Sequence, residues 1–402
     1  MTVTVGTDVY YDMYDREIYN SPHETFRRLR DEAPIYRNEK FDFWAVSRHE
    51  DVLKVLQDRE TFISGKGMTH TVAASGMEMP PGLFIAEDPP KHTTHRAIVS
   101  RLFTPKAVAS LEGDIRRLCT EIVDQLDGRD SFDFMKDFSL RLPVQVIGML
   151  VGVPKEDQPV LLEIFQKNLH GTVDESNFEE NFLQGLLDAA AWFNEYLDWR
   201  EKNPSDDVMT QLMQFEFEDE TGTVRKLRRD EMVTYLTLIT SAGSDTTATG
   251  ISAAGALLSD HPDQRAECVA DPSLIPGMVE EALRMEPPSY HFCRVSSRDT
   301  EWYGETVPAG SIMVVLPPSA NRDPRKWGDD SEVFDIHRKP GQSMTFSFGT
   351  HFCLGANLAK IEARIAFETI LPRIPEWTCD YSKAYLTAGA ETRGWERLPV
   401  TV

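Results

Sequence analysis

The chain has 402 residues, 41% hydrophobic and 27% charged, and its net charge of −23 disfavours nucleic acid or anionic membrane as a partner. Five scattered cysteines (Cys119, Cys268, Cys293, Cys353 and Cys379) argue against a disulfide framework and fit a reducing compartment. The N-terminus lacks a basic and then apolar leader, and no apolar run is long enough to span a bilayer, so a soluble, cytoplasmic protein is expected.

Length alone would admit two or three domains, but no linker, repeat or low-complexity tract divides the chain. Ser21-Pro22-His23-Glu24 starts a helix that Thr25 to Glu32 continues. Ile35 to Tyr36 and Phe43 to Val46 read as short strands, and Glu50 to Gln57 as helix. Gly65 to Phe84, rich in glycine, proline and methionine, reads as a long functional loop. Lys91 to Met213 is mostly helical, with breaks at Gly128, Pro154 and Pro204. Asp230 to His261 is one long, mostly apolar helical run. Arg284 to Pro318 holds a Pro-Pro turn and strand-like pieces at Glu305–Val307 and Ile312–Leu316. Asn321 to Gly341 is polar and irregular. Helix dominates, with a minor strand component.

Four patterns stand out along the chain. Phe346-Ser-Phe348-Gly349-Thr-His351-Phe352-Cys353-Leu-Gly355 sets a cysteine in a tight loop just before a helical run, Ala356 to Arg364. Gly349 and Gly355 can take backbone angles closed to other residues, so the loop can bend tightly and let a flat cofactor approach. The free N–H groups of the helix favour thiolate over thiol, which suits the sulfur to a metal; the bland alternative is a buried structural cysteine. Ser241-Ala242-Gly243-Ser244-Asp245-Thr246-Thr247 puts small polar residues in the middle of the long helix, where hydroxyls can bond carbonyls and open the ladder. Glu281 and Arg284 lie three residues apart on one helix face, ahead of Pro287-Pro288. Between Pro89 and Leu111 the chain carries Lys91, Arg96, Arg101 and Lys106 with no acid, either a docking patch for an anionic partner or a solvated helix face.

The cysteine loop resembles the haem-binding loop of the cytochrome P-450 family, and the resemblance runs from the N-terminal region to the end of the chain. It implies a single domain, 1–402, with a mainly α fold and minor β-sheets, in which haem b lies between a long distal helix and a proximal cysteine loop and helix. It also implies that Cys353 is the thiolate ligand of the iron. Phe346, Gly349, His351 and Gly355 would flank that ligand, and Ala242 and Gly243 would lie on the distal side. The small polar cluster is similar to the family's distal motif, which makes Asp245 the acid and Thr246 the alcohol of a proton relay. Glu281 and Arg284 match the family's structural pair. Its usual third partner, an arginine, is replaced here by Val333, so Arg338 is the candidate. His92, Arg96, Arg294 and His351 fall where the family neutralises the haem propionates.

By the same analogy, Met68 to Phe84, Leu161 to His170 and Ser289 to Phe292 wall a substrate pocket. Met68, Met79, Phe84, Leu238, Ile239, Tyr290, His291, Phe292 and Leu386 are its candidate lining. This lining, with little charge, suits an apolar molecule such as a terpenoid, steroid or fatty-acid derivative. The resemblance implies insertion of one oxygen atom from O2 into a C–H bond. The chain has no flavin or nicotinamide domain and no iron–sulfur cysteine cluster, so electrons from NAD(P)H would arrive through an external ferredoxin or flavodoxin and its reductase. The basic stretch, with Lys360 and Arg364, is the candidate docking face of a monomer. Peroxygenase or isomerase chemistry on the same fold, and a non-catalytic haem sensor, are the competing readings.

Overall fold

The computed structural model describes residues 8–160, 163, 178–339, 341–387 and 391–402. Its largest sheet has five strands: β1 (Ile35–Asn38), β2 (Phe43–Val46), β3 (Phe62–Ile63), β4 (Phe292–Ser296) and β5 (Ile312–Val315), in the order β1-β2-β5-β4-β3. β1 and β2 are antiparallel, with Ile35 opposite Val46, while β5 runs parallel to β2 and antiparallel to β4. All four residues of β5 are buried, as expected of a central strand covered on both faces. β4 is absent from the sequence reading because Cys293, Arg294 and Ser296 interrupt its apolar residues, although Cys293 to Ser296 are all buried.

Four helices frame the site: α1 (Lys91–Ser100), α2 (Arg229–Asp260), α3 (Ile275–Met285) and α4 (Ala356–Ile370). At 32 residues, α2 is about 48 Å long. It packs against α3, α4 and the helix Arg141–Val151. The hydroxyls of Thr240, Ser244 and Thr246 donate to the carbonyls of Leu236, Thr240 and Ala242 at 2.7, 2.9 and 2.8 Å. The helix nonetheless runs unbroken through the small polar cluster, contrary to the expected local opening. A carbonyl has two lone pairs, so it can take the hydroxyl without losing its backbone donor.

Other departures are local. The expected loop from Gly65 to Phe84 contains the helix His70–Ser75, capped by the Thr69 hydroxyl and ended by Gly76 at φ +67°. The irregular stretch after Asn321 contains a helical turn, Pro324–Trp327. Among the described residues, no helix is long and apolar enough to cross a membrane.

Glu281 and Arg284 sit on α3 with fully buried side chains. The arginine grips the carboxylate with two bonds of 2.7 Å. It also donates to the carbonyls of Asn321 and Ser331, both at 2.7 Å, and of Val333 at 3.2 Å. Arg338 joins the pair, its Nε donating to Glu281 Oε1 at 3.1 Å.

Glu281→Ala is therefore expected to strand a desolvated guanidinium and cost about 3–5 kcal/mol. A circular dichroism melt should show a large fall in Tm with little folded protein. A melt matching the unmutated protein would mean that the pair does not carry the fold.

Candidate active site

The cysteine loop is built from two short helical turns, Met344–Phe346 and Gly349–His351, closed by the Cys353 N–H donating to the Phe346 carbonyl at 2.8 Å. Gly349 has φ +70°, and a Cβ there would stand 2.7 Å from the carbonyl oxygen of Leu56. Gly355 needs no such freedom. Its φ of −84° is open to any residue, and a Cβ there would point into open space. Ser347, which the sequence did not single out, holds φ +61° and ψ −169°, a conformation that belongs to glycine.

Cys353 is the exposed cysteine of the chain, and the other four are buried. Yet its surroundings are dense enough that burial pushes its thiol up, against the pull of the Gly355 and Ala356 N–H groups and of Arg96. A sulfur both accessible and enclosed opens onto an internal cavity.

Four basic groups gather beside it. His92 and Arg96 lie one turn apart on α1, Arg294 lies on β4, and His351 on the loop. The His92 and His351 rings are 4.2 Å apart. Burial lowers His92 to about 4 and His351 to about 2, and the neighbouring arginines add to both. Burial also lowers Arg294, to about 10. Arg96 donates to the Phe352 carbonyl and Arg294 to that of Cys293, but both His92 nitrogens lack a partner among the described residues. The nearby acids are engaged elsewhere. Asp88 accepts from the N–H groups of Ser64 and Gly65, and Glu87 holds His95 and Lys91. Donors without a counter-ion beside an accessible thiol fit the two propionates and the iron of the haem implied by the resemblance.

α2 supplies a second wall. Ala242 is exposed in the middle of this otherwise buried helix, and Thr246, one turn on, is half-buried. Leu238 and Ile239 are buried just before them. Asp245 is buried, close enough to Tyr19 to add to the raising of that hydroxyl, which burial chiefly causes. Gly243 is turned away: a Cβ there would meet Ile147 Cδ1 at 2.9 Å, so it serves helix packing rather than the cavity.

Met68, Met79, Phe292 and Leu386 are half-buried, and Phe84 packs on Tyr235 of α2 at 5.6 Å. Tyr290 sits in the core between Tyr19 and Phe26, at 5.4 and 5.5 Å, because its aromatic neighbours outcompete the pocket for its ring. His291 is buried with neither nitrogen partnered among the described residues. The expected wall from Leu161 to His170 lies outside the described residues except for 163. Glu391 was not foreseen; a lone acid in a C-terminal turn carries no sequence signal.

The basic stretch divides. Lys91 pairs with Glu87 at 3.2 Å and Arg96 points inward. Lys360 pairs with Glu280, and Arg364 with Glu112 and Glu368. Arg101, which lies 3.8 Å over the Phe215 ring, and Lys106 are exposed and without an ion pair among the described residues.

A family model described as Cytochrome P450 matches residues 13–271 and 270–374. A protein of Mycobacterium tuberculosis provisionally named cytochrome P450 123 is 33% identical over 405 residues, covering 100% of this chain and 99% of its own. Cytochrome P450 130 of the same organism is 30% identical over 396 residues, covering 95% of each chain. Among solved structures, cytochrome P450 CYP109Q5 from Chondromyces apiculatus matches with a TM-score of 0.86 at 30% identity, covering 97% of each chain. CYP109E1 from Bacillus megaterium, solved in complex with testosterone, matches with a TM-score of 0.87 at 28% identity, covering 96% of this chain and 99% of that one.

Gly349→Ala tests the loop. Left-handed backbone costs a non-glycine residue about 1–2 kcal/mol, and the Leu56 carbonyl cannot move aside as a side chain could. The purified variant should carry much less haem per chain than the parent. Equal haem content in the two would show that the loop relaxes around the new side chain.

Proposed function

The chain belongs to the cytochrome P450 family and is a haem monooxygenase, and from that premise we propose that it hydroxylates an apolar small molecule, with Cys353 as the iron ligand and electrons from an external donor. The observation that carries the site assignment is the accessible yet enclosed thiol of Cys353 at the start of α4, a helix packed against the one that bears the exposed Ala242–Thr246 stripe.

When bound, the haem supplies one-electron chemistry and the activation of dioxygen. The rest falls to the protein. The N–H groups of Gly355 and Ala356, with Arg96, favour the thiolate of Cys353. Arg96 and Arg294, with His92 and His351 as neutral N–H donors, would hold the propionates, whose charge would offset that of the two arginines. The Thr246 hydroxyl donates a hydrogen bond to the Ala242 carbonyl, which leaves its oxygen free to accept one from a molecule in the cavity. Asp245, the residue before it, is the acid that resupplies protons from the interior. Leu238, Ile239, Phe84, Phe292 and Met68 exclude water and orient the substrate.

Terpenoids, steroids and fatty-acid derivatives fit this lining, and the testosterone complex of CYP109E1 supports a substrate of steroid size. The donor is a ferredoxin or flavodoxin served by an NAD(P)H-dependent reductase. Arg101 and Lys106 are the exposed cations that would meet its acidic face. We take the enzyme to act as a cytoplasmic monomer of one domain.

The assignment is tested in two steps. The reduced carbon monoxide complex should absorb at about 450 nm, the family's mark of thiolate ligation, and Cys353→His should lose that band; a variant that keeps it excludes Cys353 as the ligand. Thr246→Ala should still bind substrate and consume NADH, but yield several-fold less product per NADH and more hydrogen peroxide. Full coupling in that variant would remove Thr246 from the proton path.

A further inference from the structure

One side of the cavity departs from its apolar lining. Thr387 and residues 391–394 are pinned from three directions. Ser289 and Thr392 form a bridge, and the Tyr290 N–H donates to the Glu391 carbonyl at 2.8 Å. The Tyr19 hydroxyl bonds Thr387 Oγ1 at 2.7 Å and the Thr392 carbonyl at 2.8 Å. Gly394 lies on α2 so closely that a Cβ there would stand 2.3 Å from Thr249 Cγ2, one turn beyond Thr246. The Glu391 backbone is thereby set beside Tyr290, between Ser289 on one side and Thr249 of α2 on the other. Burial chiefly, and then the Glu391 charge, raise the Tyr14 hydroxyl and the Cys293 thiol; Cys293 in turn follows His291 and Phe292 and donates its N–H to the Met68 carbonyl.

Like Cys353, the Glu391 side chain is accessible and yet enclosed. It is half-buried, and burial raises its carboxyl with only its own backbone N–H in opposition. Among the described residues no lysine or arginine pairs with it. Arg393 is spent on Glu286 and the carbonyls of Tyr19 and Asn20, and Arg16 on the Thr387 carbonyl and the Tyr19 ring. Arg294 turns to the Cys293 carbonyl, and His70 is held by Tyr14 and the Phe41 carbonyl. An uncompensated carboxyl in such a place is costly, and it becomes favourable when a ligand brings the missing charge.

We propose that Glu391 anchors a cationic group of the substrate, so that the enzyme takes an apolar molecule bearing a protonated or quaternary amine. This rests on the monooxygenase reading above and narrows its substrate class. The apolar frame lies against Leu238, Ile239 and Phe84, while the cation lies at the turn.

The holoenzyme is to be titrated with decyltrimethylammonium, 1-decanol and decanoate, with affinity read from the haem spectrum and, separately, by equilibrium dialysis. A quaternary ammonium cannot ligate iron, so its effect reports occupancy of the pocket. The ammonium should bind about tenfold tighter than the alcohol, and decanoate weakest. Glu391→Gln should erase the difference between ammonium and alcohol while leaving the alcohol's affinity unchanged, and Glu391→Asp should keep part of the preference. Equal binding of ammonium and alcohol by the parent enzyme, a preference that survives in Glu391→Gln, or no binding of the ammonium at all would each overturn the proposal. Loss of the band at about 450 nm with the ammonium preference intact by dialysis would instead sink the thiolate assignment and leave the anchor standing.

Discussion

The architecture depends on one fully desolvated charge. Arg284 has no access to solvent, so each of its N–H groups must find an acceptor in the protein. Glu281 supplies the counter-charge, and the carbonyls of Asn321, Ser331 and Val333 supply the rest. Those carbonyls belong to a stretch with little regular structure, whose course is therefore set by what it must offer the arginine. The effect reaches the cysteine loop. The Asn321 side chain accepts from the Met344 N–H at 2.7 Å and donates to Thr345 Oγ1 at 3.2 Å, and Thr345 donates to the Leu283 carbonyl at 2.7 Å. The next residue, Phe346, offers the carbonyl that fixes the Cys353 N–H. A buried ion pair is weak support for net stability, but here it selects one path for the chain between α3 and the thiol.

Electrostatics within the cavity run against the charge of the whole molecule. An acidic protein concentrates His92, Arg96, Arg294 and His351 on one side of its interior, where burial lowers the pKa of all four. Packing sets the two arginines around two imidazoles that burial keeps neutral, and the arginine charges oppose protonation of both rings. An anionic group that bound only the folded chain would offset those charges and be coupled to folding by mass action.

The parts of the site legible in the sequence are those that one short segment carries whole. Cys353 with its loop, Glu281 with Arg284, and Ala242 with Thr246 each lie within a turn or two of chain, so their spacing reveals them. Groups that act across elements left no such trace. Asn321 and Thr345 look like loop residues until Arg284 and Leu283 are placed beside them. Glu391 gains meaning only when its turn is folded onto Ser289 and Thr249. Two glycines show what composition leaves open: a Cβ on Gly243 would face Ile147, and Gly355 has an ordinary φ. In the fold, the long helix and the short strands β1 and β2 were visible in the sequence, whereas β4 was hidden because Cys293, Arg294 and Ser296 interrupt its apolar residues.

The same helix α3 governs the other side of the cavity. Glu286, the residue after its last turn, takes Arg322 and Arg393, each at 2.8 Å, and His23 at 3.4 Å. Burial alone would raise its carboxyl, but these three partners hold it well below the usual range. Arg393 stands two residues beyond Glu391, and its N–H donates to the Pro288 carbonyl at 3.0 Å, which locks the pocket turn to the chain leaving α3. Arg284 and Glu286 thus tie the thiol loop and the pocket turn to one rigid element. The thiol and the carboxyl would otherwise be set independently by two irregular segments. Referred to one helix, the two segments keep a fixed relation, which the proposed anchoring of a substrate beside the haem would require.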